Sequence, residues 1–268
     1  MGVEVAVVTL TNGLTLSYAA TGADSGRAVV LLPGPTDSWL SYRPILERMP
    51  ESVRTVALSP RGHGDSDKPV TGYRVEDFAA DVASAMDALG VQQAVLAGHS
   101  GSCLVARRVA IDHPDRVVGL VLEASPTSLR GDANLLAFID TVVSPLSDPV
   151  DPAFARSFVI DTSSDDVPAD LTDALVDEIL KVPARVWQET FAGLLEYDDL
   201  TELPRVTIPA LLVWGDADGL VDRTMQDVLL ERLQDAVLLT YAGVGHTPRF
   251  EEPDRFAADL VGFVQRLR

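Results

Sequence analysis

Residues 93–106, QAVLAGHSGSCLVA, decide how the rest of the chain is read. Val95, Leu96 and Ala97 form an apolar run too short for a helix and typical of a buried strand. Gly98-His99-Ser100-Gly101-Ser102 follows. Leu104, Val105, Val109 and Ala110 then recur at helical spacing as far as His113-Pro114, where a helix must stop. A strand therefore turns sharply into a helix with Ser100 at the turn, the context that a Gly-x-Ser-x-Gly nucleophile elbow requires. Small residues two before and two after the serine let strand and helix approach closely and hold the hydroxyl on a strained, exposed bend. The last small residue here is Ser102 rather than glycine. Such strings also arise by chance, so the assignment depends on the chain supplying a base, an acid and an oxyanion hole.

The 268 residues suffice for one large α/β domain with an inserted subdomain, and a hydrophobic content of 47% indicates a sizeable core. No apolar run is long enough to span a bilayer and no basic-then-apolar leader opens the sequence, so a cytoplasmic protein with no membrane partner is expected. The single cysteine, Cys103, cannot form an internal disulfide, in keeping with a reducing compartment, and reads as a small core residue. A formal net charge of −19 repels nucleic acid and anionic lipid and argues against polyanionic substrates. The acidic residues are spread along the chain as a solvated surface. The histidines do not sit at metal-ligand spacing, and Gly62-x-Gly64 lacks the glycine pattern of a dinucleotide site, so no metal and no cofactor is expected.

Outward from the elbow, residues 3–10 and 14–20 read as strands joined through Asn12-Gly13, a strong hairpin signal. Residues 28–32, 53–58 and 117–122 are apolar strands; residues 39–49 and 75–89 are helical, the latter with Phe78, Val82, Ala85, Met86 and Leu89 on one face. This alternation means a parallel sheet covered on both faces. From about residue 125 to 204 strand-like runs disappear and helices broken by prolines take over, at 134–143, 152–160, 171–181 and 185–195. Strands resume at 210–214 and 237–241, with helices at 225–233 and 254–267.

The pieces LLPGPTDSW, SPRGHGDSDKP, LAGHSGS, LLVWGDADGLV and GVGHTPRFEEPDRF together resemble the α/β-hydrolase superfamily over nearly the full chain. The resemblance implies a mostly parallel eight-stranded sheet with helices on both faces. It implies a core of residues 1–125 and 205–268 and an inserted helical lid, or cap, of residues 126–204. It also implies the chain order nucleophile, acid, histidine, and Ser100, Asp218 and His246 fall in that order, each just past a predicted strand. A serine hydroxyl needs a base to take its proton, and imidazole titrates near neutral pH. Of the four histidines, His246 is the candidate. His113 reads as a helix-end or surface residue, His99 should point away from the nucleophile, and His63 belongs to a loop that shapes the pocket floor. Asp218 would orient His246; the family's G-x-x-D spacing favours it over Asp216, and Glu123 at the end of the strand after the elbow helix is a further rival.

The oxyanion segment departs from the family. Gly101 fits one backbone donor, but the first segment reads Pro33-Gly34-Pro35-Thr36, and Pro35 has no N–H to give. Either Thr36 or Gly34 donates instead, or one donor is missing. The reading that follows is a serine hydrolase acting through an acyl-enzyme on a small, largely apolar carboxylic ester or lactone, as a monomer or homodimer. Leu136, Phe138, Ile139, Phe154, Phe158, Trp187, Phe191 and Leu195 of the lid, together with Trp39, are candidates to line its pocket. A serine nucleophile argues against dehalogenases and epoxide hydrolases, which in this family use a carboxylate. Two alternatives stay open: hydrolysis of a carbon–carbon bond in a diketone by the same triad, and a slow-turnover ligand-binding or signalling protein, to which Gly-His-Ser-x-Ser and Pro35 lend some likeness.

Overall fold

A computed structural model describes residues 2–162 and 167–267. Residues 163–166 of the expected lid therefore lie outside the described residues. Eight strands among these form one sheet: β1 (Glu4–Thr9), β2 (Thr15–Thr21), β3 (Arg27–Leu32), β4 (Val53–Leu58), β5 (Ala94–His99), β6 (Val117–Glu123), β7 (Ala210–Gly215) and β8 (Ala236–Tyr241). Their spatial order is β1-β2-β4-β3-β5-β6-β7-β8. The β1–β2 and β2–β4 pairs are antiparallel and all others parallel. Gly13 supplies the positive φ of the first hairpin turn, as Asn12-Gly13 predicts.

The order places β3 between β4 and β5. The chain leaves β3 toward one side of the sheet and returns past it to β5, so the connections diverge at the carboxyl ends of β3 and β5. Such a switch point opens a crevice where ligands bind.

The helices are α1 (Arg43–Leu46), α2 (Val75–Ala88), α3 (Ser102–Asp112), α4 (Ala133–Phe138), α5 (Pro152–Asp161), α6 (Ala169–Ile179), α7 (Ala184–Glu196), α8 (Arg223–Arg232), α9 (Pro248–Glu251) and α10 (Pro253–Arg266). Strand periodicity divides the core between the two faces. Val30, Leu32 and Leu96 pack with α2 and α3, while Val29, Leu31 and Val95 pack with Tyr42, Ile45, Phe256 and Leu260 on the other side. Among the described residues no helix is long and apolar enough to cross a membrane.

Three local details differ from expectation. The helix expected at 39–49 is a 3-10 turn, Trp39–Tyr42, followed by the single α-turn of α1; Pro44 lacks the N–H a continuing helix needs and is tolerated only in a first turn. The helix expected at 134–143 begins as α4 and passes into a π-helical turn at Ile139–Val143. The short α9 was not expected; it ends before Pro253, which starts α10.

Candidate active site

Ser100 stands at the carboxyl end of β5 with φ +52°, the left-handed region that a non-glycine residue enters only when its surroundings hold it there. Its amide donates to the Glu123 carbonyl at 2.9 Å, and its own carbonyl accepts from Cys103 N at 2.9 Å as α3 begins. The small neighbours are required by distance: a Cβ on Gly98 would lie 2.7 Å from the Ser102 carbonyl oxygen, and one on Gly101 would lie 2.8 Å from Pro35 Cγ. Ser102 is accommodated because its hydroxyl donates to the Pro33 carbonyl at 2.5 Å, tying the elbow to the loop after β3.

The loops after β7 and β8 deliver the other groups. Ala217 N donates to the Val244 carbonyl at 2.9 Å, and Gly243 N donates to Asp216 Oδ1 at 2.6 Å, so the two loops are laced together. Gly215 permits this approach, since a Cβ there would meet the Val244 oxygen at 2.1 Å. Asp218 Oδ1 accepts from Leu220 N at 2.8 Å and Val221 N at 3.0 Å. Its Oδ2 lies 2.9 Å from His246 Nδ1. A carboxylate facing Nδ1 fixes the proton there and leaves Nε2 with its lone pair. The His246 carbonyl lies 3.0 Å from His99 Nε2, so the histidine loop is fastened to the residue preceding Ser100. His99, buried and kept neutral chiefly by desolvation and also by Arg249 and His246, turns away as a structural donor. Glu251 further holds the loop, accepting from Gly245 N at 2.9 Å.

The rival carboxylates are committed elsewhere. Asp216 serves Gly243. Glu123 Oε1 accepts from Arg249 N at 2.9 Å. The buried Arg249 guanidinium also lies 3.1 Å from Asp37 Oδ2 and 3.5 Å from Glu123 Oε1. Burial raises both carboxyls, Asp37 to about 6, against the pull of Arg249. This cluster joins the ends of β3, β6 and the histidine loop; the sequence reading missed it, because nothing local distinguishes Asp37 or Arg249 from surface charges.

At the oxyanion segment the Pro35 ring packs on Gly101. Thr36 is buried at φ +74°, a strained conformation for a β-branched residue. Neither the Thr36 nor the Gly101 amide has a protein acceptor among the described residues. The Gly34 carbonyl accepts from Asp37 N at 3.1 Å, and a Cβ on Gly34 would strike His99 Nδ1 at 2.6 Å.

Phe138, Phe154, Phe158, Trp187 and Phe191 form one aromatic cluster among α4, α5 and α7, with Phe158 and Trp187 edge to face at 4.9 Å. Trp39 packs with the core on the α1 and α10 face. A narrow, mainly apolar cavity beside the elbow is bordered instead by Gly34, Pro35, Gly101 and Ser102, by Leu16, Leu32, Leu58, Phe78, Val82 and Val105 of the core, by Pro60, His63 and Asp81, and by Thr190 and Leu194 of α7. His113 is exposed at the end of α3, and Cys103 is a buried free thiol.

A family model described as the alpha/beta hydrolase fold matches residues 27–253. The chain is 30% identical over 280 aligned positions to a non-heme chloroperoxidase of Streptomyces lividans, covering 96% of this chain and 99% of the relative. It is 27% identical to epoxide hydrolase 4 of Mus musculus, covering 91% and 74% of the two chains. Among solved structures, an esterase from Rhodococcus sp. superposes with a TM-score of 0.84 at 26% identity, covering 98% of this chain and 99% of that one.

Proposed function

The chain belongs to the α/β-hydrolase fold family, and from that premise we propose that it is a serine hydrolase of small, largely apolar carboxylic esters or lactones. The observation that carries this reading is the 2.9 Å contact between His246 Nδ1 and an Asp218 carboxylate otherwise occupied by two backbone amides, on a loop fastened to His99 beside Ser100. Ser100 Oγ attacks the carbonyl carbon while His246 Nε2 takes its proton, and Asp218 stabilises the imidazolium. The oxyanion forms opposite the Gly101 amide, with Thr36 N–H in the place Pro35 cannot fill. The imidazolium then protonates the leaving oxygen, and water deprotonated by His246 hydrolyses the acyl-enzyme. Helices α4 to α7 act as the lid, and their aromatic cluster stiffens its apolar underside.

A serine at the elbow suits acyl transfer better than epoxide opening. The test is turnover of p-nitrophenyl acetate and butyrate: multiple turnovers abolished in Ser100→Ala are expected. Stoichiometric labelling without turnover would overturn the reading in favour of a ligand-binding protein. The full-length likeness to a chloroperoxidase favours one second reading, in which hydrogen peroxide replaces water as acyl acceptor and releases a peroxy acid and free serine. Peroxide-dependent, Ser100-dependent bromination of a dye in acetate buffer reads it directly.

A further inference from the structure

Two buried polar atoms without protein partners belong to residues that border the same cavity beside the elbow: His63 Nε2 and Thr190 Oγ1. The other walls are mainly apolar, among them Leu32, Leu58, Phe78 and Leu194; the polar residues Asp81 and Ser102 also border the cavity, but Asp81 is paired with Arg61 and Ser102 donates to the Pro33 carbonyl. Leaving a buried polar atom unpaired is costly, and of the buried atoms without partners among the described residues these two alone belong to residues on the lining of this cavity, where a ligand could satisfy both.

The chemistry of the pair narrows that ligand. His63 Nδ1 lies 2.8 Å from the Arg61 carbonyl, and a carbonyl only accepts, so Nδ1 carries the proton and Nε2 is a bare acceptor. Burial, with Lys68 nearby, holds the ring neutral by lowering its pKa to about 4. The Thr190 hydroxyl can donate or accept, yet it does not take the backbone carbonyl one turn back, as a helical threonine commonly does. The complementary group must donate to His63 and can accept from Thr190. A carboxylate cannot donate and an ammonium cannot accept; a hydroxyl does both. A water could serve the pair, but a hydroxyl on an alkyl chain serves it and also places carbon against the apolar walls. Ser100 does not itself line the cavity, but Gly101 and Ser102, the two residues after it, do, so the cavity adjoins the elbow.

We infer that this cavity is a hydroxyl-recognising acyl subsite, and that the substrate is an ester or lactone of a short hydroxylated carboxylic acid. The inference rests on the serine-hydrolase reading for the placement of the scissile bond, but the subsite is testable without it. The measurement is kcat/KM for p-nitrophenyl β-hydroxybutyrate against butyrate, and β-hydroxyvalerate against valerate, in the intact protein, Thr190→Val and His63→Leu. A preference of about ten- to hundredfold for the hydroxylated member of at least one pair is expected, collapsing toward unity in both variants. The ratio is internal to each preparation, so partial loss of folded protein cancels, and Thr190→Val decides alone if His63→Leu does not fold. In parallel, binding of β-hydroxybutyramide and butyramide to Ser100→Ala is compared by calorimetry. Tighter binding of the hydroxyamide without Ser100-dependent turnover would sustain the subsite and sink the hydrolase. Equal behaviour of the hydroxylated and plain members in both assays, as when the two atoms are served by a buried water only, overturns the inference.

Discussion

Asp218 has its two oxygens divided between backbone and imidazole: one is saturated by the amides of Leu220 and Val221, the other faces His246. An amide in its place would present the wrong end of a dipole either to those amides or to the ring. Asp218→Asn is therefore expected to lower kcat on p-nitrophenyl butyrate by about 10²–10⁴-fold with the fold retained. Asp216→Asn, which keeps an acceptor for Gly243, should stay near the parent rate; the opposite ranking would transfer the acid role to Asp216. Asp37 offers a second test at this scale. Its folded pKa of about 6 exceeds the ordinary 3.8 because burial opposes the charge. Between these values the folded state binds more protons than the unfolded chain, so the Asp37 contribution to stability is complete below pH 3.8 and is lost as pH rises through 6. In Asp37→Asn this loss is absent. Its melting temperature should gain on the parent's between about pH 4 and 7, and parallel Tm–pH curves would refute the assignment.

At the scale of elements, the turn from β5 into α3 was legible because its determinants are local: an apolar run, glycine at Gly98, and helical spacing up to Pro114. What Ser102 does was not legible, since its partner, the Pro33 carbonyl, lies in another loop. The strain at Thr36 was hidden for the same reason, as a positive φ in a β-branched residue is imposed by surroundings and leaves no mark in the chain. Helices α4 to α7 are legible from periodicity, but the residues of α7 that border the cavity, Thr190 and Leu194, are not, since a threonine and a leucine on a helix carry no local mark of a pocket; the aromatic residues cluster with one another. Restoring the family glycine by Ser102→Gly removes one buried hydrogen bond between elbow and β3 loop. A loss of about 1 kcal/mol in urea unfolding is expected. Because the tie also positions the oxyanion segment, kcat should fall while KM stays near the parent value; unchanged stability and kcat would show the bond to be dispensable.

Across the whole molecule, the helical segment between β6 and β7 touches the rest of the chain at several points, among them Arg185 on the Lys68 and Pro69 carbonyls and Lys181 on Asp65, but one side chain contacts both of its ends. Arg107, on the elbow helix α3 and fully buried, pairs with Asp199 through Nε at 2.9 Å and Nη2 at 2.8 Å. It also donates to the Pro126 carbonyl at 2.8 Å and the Thr127 carbonyl at 2.6 Å. Residues 126 and 127 follow β6 and residue 199 follows α7, so the guanidinium ties the start of this helical segment to its end. In sequence Arg107 stands beside Arg108 with nothing local to tell the two apart; the fold buries the first completely and leaves the second partly exposed. A buried pair of this kind is worth little against an apolar replacement of both partners, but removing one strands the other charge. Arg107→Met is expected to cost about 3–5 kcal/mol in urea unfolding, and Arg107→Met with Asp199→Leu to recover a large part of it. The single variant should also become more susceptible to limited proteolysis within residues 126–199 than elsewhere, since the neck loosens before the sheet does. Uniform susceptibility along the chain, or no recovery in the double variant, would mean that Arg107 merely fills space in the core and that other contacts hold the insertion in place.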